Sequence, residues 1–239
     1  MNAFSKTITT FFLFGLTGLF ESRAQTVILS VDRSRDSIPG QRGPNLKKFS
    51  HVFFNFGFVA GADKPGERIN YGTSIEYGFG VRKKYKISPV YSLGWELGLK
   101  GKVFKLKQEK GKTFPDTLLN DVERMDYESI TISFFHRFNF DPARGNFMGT
   151  FLDLGIRGGW NYQIAHVVKN TLPDGSEIKS QITNLPYINH LDCEVFARIG
   201  RSHFALYASY RLTKLFKPSY AFPELPALTA GLELAIFRQ

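Results

Sequence analysis

The sequence holds one cysteine, Cys193, in 239 residues. A single cysteine closes no internal disulfide, and this one is not placed after the N-terminal apolar segment, where a lipid-anchor cysteine would stand. Past the first two dozen residues there is no apolar run of the ~20 residues that a membrane-spanning helix needs. Helical heptads and low-complexity tracts are also missing. The five histidines, His51, His136, His166, His190 and His203, show no metal-ligand spacing, and there is no C-x-x-C. No G-x-S-x-G elbow or phosphate-binding glycine pattern is present; Gly78-Phe79-Gly80 runs on into Val-Arg-Lys. These absences argue against disulfide-stapled scaffolds, helical membrane proteins and the common hydrolase and nucleotide-binding enzymes. No catalytic residue, metal or cofactor is expected. The formal charge of +10 points to an anionic membrane surface rather than nucleic acid, because no basic helix accompanies it.

What is present is alternation. Aromatics make up 15% of the chain, with 24 phenylalanines, and they fall at a period of two. Phe54, Phe56 and Phe58 alternate with Asn55 and Gly57. Tyr71, Thr73, Ile75, Tyr77, Phe79 and Val81 form a second apolar series, and Tyr91, Leu93, Trp95, Leu97 and Leu99 a third. Five more follow, around Ile130–Phe134, Leu152–Tyr162, Leu191–Ile199, Phe204–Leu212 and Leu228–Ile236. Most approach the ~9–11 residues that cross a membrane as a tilted strand. The predicted fold is all-β: an eight-stranded antiparallel up-and-down transmembrane barrel. Short connections (RKKYKIS, NFDPARGN, Gly200-Arg201-Ser202) alternate with long ones near residues 105–126, 168–186 and 215–227. Outer-membrane barrels alternate short periplasmic turns with long external loops in this way, which places both termini in the periplasm. Asp174-Gly175 reads as a hairpin tip.

The polar face of these strands carries Gly, Ser and Thr together with Glu76, Glu96, Asp153, Arg157, Asp192, Glu194, Arg198, Arg211 and Glu233. A glutamate amid apolar neighbours is costly to bury unless it is paired. An eight-stranded barrel has an interior just wide enough for side chains to fill, so these nine residues are expected to form a charge network inside the lumen. Tyr71, Tyr85, Tyr91, Phe138, Phe140, Trp160, Tyr162 and Tyr187 are expected in aromatic girdles. Lys102, Lys105, Lys107, Lys110 and Lys112 are expected at the external rim, in contact with the phosphates of membrane lipid, lipopolysaccharide included.

The N-terminus reads as a targeting segment. MNAFSK, ITTFFLFGLTGLF and Ser22-Arg23-Ala24 supply the basic start, apolar core and small-residue cleavage site of a signal peptide over residues 1–24. Residues 25–50 form a polar leader, and 51–239 the barrel. The segments FFNFGFVAG and YGTSIEYGFGVRKKYKIS, the Ala24-Gln25 signal end and the eight-strand layout resemble the small outer-membrane barrel proteins of Bacteroidota, in the PorT-like grouping. That resemblance implies an outer-membrane location and an accessory role in protein secretion. The expected function is non-catalytic: a scaffold or accessory subunit of an envelope complex with protein partners. Two alternatives are an acyl hydrolase using His136 and Ser133, disfavoured because the two fall on opposite faces, and a narrow ion or proton channel.

Overall fold

Alternation of the kind just described requires extended strands with two unlike faces, and the computed structural model, which describes residues 43–61, 69–220 and 222–237, contains nine. They are β1 (Lys48–Ala60), β2 (Ile75–Lys86), β3 (Tyr91–Lys105), β4 (Val122–Asn139), β5 (Thr150–Thr171), β6 (Glu177–Thr183), β7 (Leu191–Arg201), β8 (Phe204–Arg211) and β9 (Leu228–Ile236). Each pairs antiparallel with its neighbours, and β1 pairs with β9 while β4 pairs with β5, so eight strands close on themselves. Closure leaves the barrel proper without a free edge. No α-helix occurs among the described residues. The signal peptide and most of the leader lie outside those residues.

The ninth strand is a departure from the expected eight. β6 pairs only with the upper part of β5, in a hairpin that stands beyond the barrel. Its tip is the expected Asp174-Gly175, with Gly175 at φ +83°, a left-handed conformation that favours glycine. All seven β6 residues are exposed. With neither face buried, EIKSQIT has no apolar alternation, and this is why the strand is not legible in the sequence. β4 is also longer than the sequence pattern indicates, because Val122–Ser129 continue it above the Ile130–Phe134 core of the pattern. At the other end β1 begins at Lys48, inside the stretch read as leader.

Connections alternate as expected: 87–90, 140–149 and 202–203 on one rim, and longer segments on the other. Both described chain ends lie at the short-connection rim, where Asn45 bonds the 140–149 turn and Ala235 N–H donates to the His203 carbonyl. The faces also sort as expected. Phe54, Phe56, Phe58, Phe79, Leu97, Ile132, Phe134 and Ile156 point outward and are about half exposed, whereas Glu76, Arg82, Asp153 and Arg198 are at most 1% exposed. Glycines on the inner face make room for larger neighbours. A Cβ on Gly57 would strike the Tyr207 hydroxyl, and one on Gly231 would strike the Phe56 carbonyl of the adjacent strand. In the space so cleared, the Tyr207 hydroxyl accepts from Asn55 Nδ2 and donates to Glu76 Oε1, both at 3.2 Å.

Candidate functional site

The interior has three tiers. The middle tier is ionic, and the strand register creates it. Arg82 lies opposite Glu96, Glu76 opposite Lys102, Arg137 and Arg198 on either side of Asp153, and Arg157 opposite Glu194. Glu96 Oε1 takes Arg82 Nε and Arg198 Nη2, each at 2.5 Å. Glu233 takes Arg82 Nη2 at 2.7 Å and Arg198 Nη1 at 3.0 Å. Asp153 is held in a fork by Arg137 at 2.6 and 2.8 Å and is also met by Arg198 at 3.1 Å. Towards the long-connection rim, Lys102 bridges Glu76 (2.8 Å) and Glu194 (3.5 Å), and Lys100 bridges Glu194 (2.8 Å) and Asp192 (3.2 Å). Arg157 joins the two groups, at 3.8 Å from Glu96 and 3.6 Å from Glu194.

Six acids thus face six bases: Glu76, Glu96, Asp153, Asp192, Glu194 and Glu233 against Arg82, Lys100, Lys102, Arg137, Arg157 and Arg198. Buried charge is tolerated when it is paired and hydrogen-bonded. Phenylalanines separate the guanidinium groups and stack on them: Arg82 over Phe53 at 4.6 Å, Arg137 over Phe151 at 3.8 Å, Arg198 over Phe196 at 4.7 Å.

Eight of the nine expected lumen residues belong to this network. Arg211 does not. It sits at the end of β8 and turns to the rim, where it binds Glu224 at 3.2 Å and the Leu225 carbonyl at 2.8 Å. The sequence reading missed Arg82, Lys100, Lys102 and Arg137. Arg82 and Lys84 fall in RKKYKIS, which reads from the sequence as a connection, but β2 runs on to Lys86 and buries both. The signal that would have found them is charge complementarity between facing positions, which needs the register.

The lysine set needs a second correction. Lys102 is inside the lumen, and Lys112 folds inward onto Glu123, with Asp116 at 3.3 Å and the Leu118 carbonyl at 2.5 Å. A buried acid on the same face captured each. Glu123 also receives His166 Nε2 at 2.8 Å, Gln108 at 3.0 Å and Asn120 at 3.1 Å, which clasps the 106–121 connection to β4 and β5. Lys105 and Lys107 are half-buried at that rim, and Lys110 is exposed.

The other two tiers are lids. At the long-connection end Ile69, Phe104, Leu106, Phe114, Met125, Ile188 and Phe216, each at most 3% exposed, form an apolar cap with Leu215 and Leu225. Tyr71 and Tyr187 pack against it, so these two are not in an outward girdle; residues 71–73 form a 3-10 turn instead of the start of a strand. At the short-connection end Met148, Phe151 and Ala205 pack with Phe49 and Phe237, and Pro44 covers the buried Lys84, accepting a hydrogen bond from its ammonium.

Ser133 and His136 lie on opposite faces. Ser133 accepts from Arg157 Nε at 3.2 Å inside, whereas His136 is outside, 2.6 Å from the Tyr91 hydroxyl. Among the described residues no cluster of three His, Cys, Asp or Glu forms a metal site. A paired, balanced network between two lids fixes strand register. No protein-family model matches the chain, and no curated protein matches it significantly.

Proposed function

We propose that this chain is an exported, non-catalytic outer-membrane barrel that serves as a scaffold or accessory subunit of an envelope complex. One observation carries the membrane part: the wall is inverted relative to a soluble barrel, with phenylalanine and leucine exposed outside and arginine and glutamate buried inside. A continuous apolar belt of this kind marks a lipid or protein interface. On β5 the belt runs from Leu152 to Tyr162, ten steps of ~3.3 Å, or ~25 Å of height at a tilt near 40°, the height of a bilayer-facing band. Phe138 and Phe140 lie at one margin, Trp160 and Tyr162 at the other. The signal peptide over residues 1–24 and the short-connection rim as the periplasmic side complete this reading.

The scaffold part follows from the filled lumen. A barrel whose middle is ion-paired and whose ends are plugged works through its outer surfaces. The free edge of β6 is one of them: its residues are exposed and its outer side has no backbone partner among the described residues. Exposed edges template strand addition, and β6 is where we place a partner protein. The resemblance to PorT-like barrels makes a secretion assembly the class to examine first.

The test is purification from native envelopes in mild detergent, with a tag inserted after Leu119. A companion at fixed stoichiometry that is lost from Lys179→Pro supports the proposal. A barrel of monomer size overturns the accessory role. Steady single-channel conductance in planar bilayers, altered by Arg157→Gln, would favour the channel reading instead.

A further inference from the structure

The barrel wall is uneven. β5 has 22 residues and β8 only eight. Across the low side, three small residues stand at one level on adjacent strands: Ala197 faces Ala208, and Ala208 faces Ala230. Leu154 flanks the row on one side and Phe58 on the other. All three alanines point outward and are exposed. Where Ala197 and Ala208 interrupt the wall of Phe, Leu, Ile and Val, a groove of about 440 Å³ opens, bounded by Leu154, Val195, Tyr210 and Leu228; Ala230 continues the row beside it.

This groove continues upward. β8 stops at Arg211, and the chain then turns inward to bury Leu215 and Phe216 in the cap. The notch left behind is a cleft of about 500 Å³ that shares Tyr210 and Leu228 with the groove and reaches Thr213, Lys214 and Glu224. Both volumes fall in the ~300–1,000 Å³ range of small-molecule sites. The polar groups of the cleft are not equivalent. Arg211 and Glu224 satisfy each other, and Glu224 also accepts the backbone N–H groups of Leu215 and Phe216. Lys214 is exposed, and its ammonium has no acidic partner among the described residues.

A second groove on the wall shows what is special here. It has about 500 Å³ and is lined by Val52, Phe79, Gly80, Val81, Leu97, Gly98, Leu99 and Ile130, apolar from end to end. It holds nothing that would recognise a headgroup. The alanine groove couples an apolar trough to an unpaired cation at its upper end, at the rim where the belt stops.

We infer that the Ala197–Ala208 groove and the Lys214 cleft form one site for an anionic phospholipid, with an acyl chain in the trough and the phosphate at Lys214. A lysine at the membrane surface adds about 1 kcal/mol of attraction to an anionic lipid, and the trough adds burial of the chain's methylene groups. This inference rests on the membrane reading above.

The test is native mass spectrometry of the purified full chain, delipidated and returned to mixed micelles of phosphatidic acid and phosphatidylcholine. The expected result is one retained phosphatidic acid, favoured at least fivefold over phosphatidylcholine. Ala208→Leu, which fills the trough, should lower retention about tenfold. Lys214→Gln should abolish the headgroup preference, and Leu97→Phe in the second groove should change neither. Equal retention of both lipids, or no effect of Ala208→Leu in a variant that keeps its β-sheet circular dichroism, overturns the inference. Displacement of the bound phosphatidic acid by purified lipopolysaccharide would overturn the assignment to phospholipid. Insertion of the wild-type chain into liposomes separates the two levels: failure to insert sinks the membrane reading itself, whereas insertion without selective retention sinks only this site.

Discussion

The middle of the lumen and the cap above it occupy the same inner face of the same strands, yet they are filled by opposite chemistry. The middle is filled from the strands alone, by charges that the register sets opposite one another. The cap is filled largely from the connections: Phe114 comes from one long segment, Leu185 and Ile188 from another, and Leu215, Phe216 and Leu225 from a third. The difference shows two ways of closing a narrow barrel. Charges spaced along strands discriminate against slippage, because a one-residue shift would turn Glu96, Asp153 and Arg198 outward into the apolar belt. Apolar side chains from connections discriminate weakly, but they seal the end and hold the loops down.

The largest effect should come from breaking the ionic tier at its hub. Glu96→Ala removes one of the two carboxylates that Arg82 and Arg198 share and leaves only Glu233 between them, and removing one partner from a buried ion pair costs about 3–5 kcal/mol. Urea unfolding in micelles, followed by the difference in gel mobility between folded and unfolded barrel, reads this directly. A loss below about 1 kcal/mol would mean that water reaches the middle tier and that the two tiers do not differ in kind.

The cap should respond as an ordinary core. Met125 is fully buried in it, and Met125→Ala should cost about 3 kcal/mol. Its effect should not change with added salt, because no charge is involved. A strong salt dependence of this variant would show that the cap is coupled to the ionic tier and is not a separate lid.

The two tiers were legible to different degrees for the same physical reason. Alternation along one strand reveals which residues face inward, so Glu76, Glu96, Asp153 and Glu233 could be placed in the lumen from the sequence. It does not reveal which strand positions meet, so Arg82, Lys102 and Arg137 were missed as their partners. The cap residues come from segments without period, and Tyr187 looked like a girdle aromatic because its inward path depends on tertiary packing. β6 was invisible for the opposite reason: its residues are exposed on both faces, so nothing patterned them. Arg211 shows where the pattern misleads. It has the correct parity for the lumen, but it stands where its strand ends and finds Glu224 first.

Between the tiers and the outside lies the Lys112–Glu123 clasp, which has the ionic character of the middle and the position of the cap. Lys112→Met should cost about 1–2 kcal/mol, since Glu123 keeps His166, Gln108 and Asn120 when one charged donor is lost. Limited proteolysis should cut within residues 106–121 faster in the variant than in the wild type. Unchanged cleavage would assign the anchoring of that connection to Phe114 in the apolar cap.

The smallest effect should appear at the two rims, where a matched pair of aspartates compares the ends of the barrel under identical conditions. Asp141 accepts from Thr150 N–H at 2.6 Å on the short-connection side, and Asp121 accepts from Thr171 N–H at 2.7 Å on the long-connection side. These backbone hydrogen bonds hold both carboxyls below the ordinary value of 3.8. A depressed carboxylate stabilises the fold above its ordinary value, and that contribution disappears as pH falls through the lowered one. Amide exchange at Thr150 and Thr171 should therefore be slow at mildly acidic pH relative to the intrinsic rate. It should lose its protection only below the ordinary carboxylate range of about 4. Asp141→Asn should remove the pH dependence of protection at Thr150 and leave that at Thr171 intact. If both amides changed together, the rims would be coupled through the barrel, and the separation of lumen tiers argued from the packing would fail at the backbone as well.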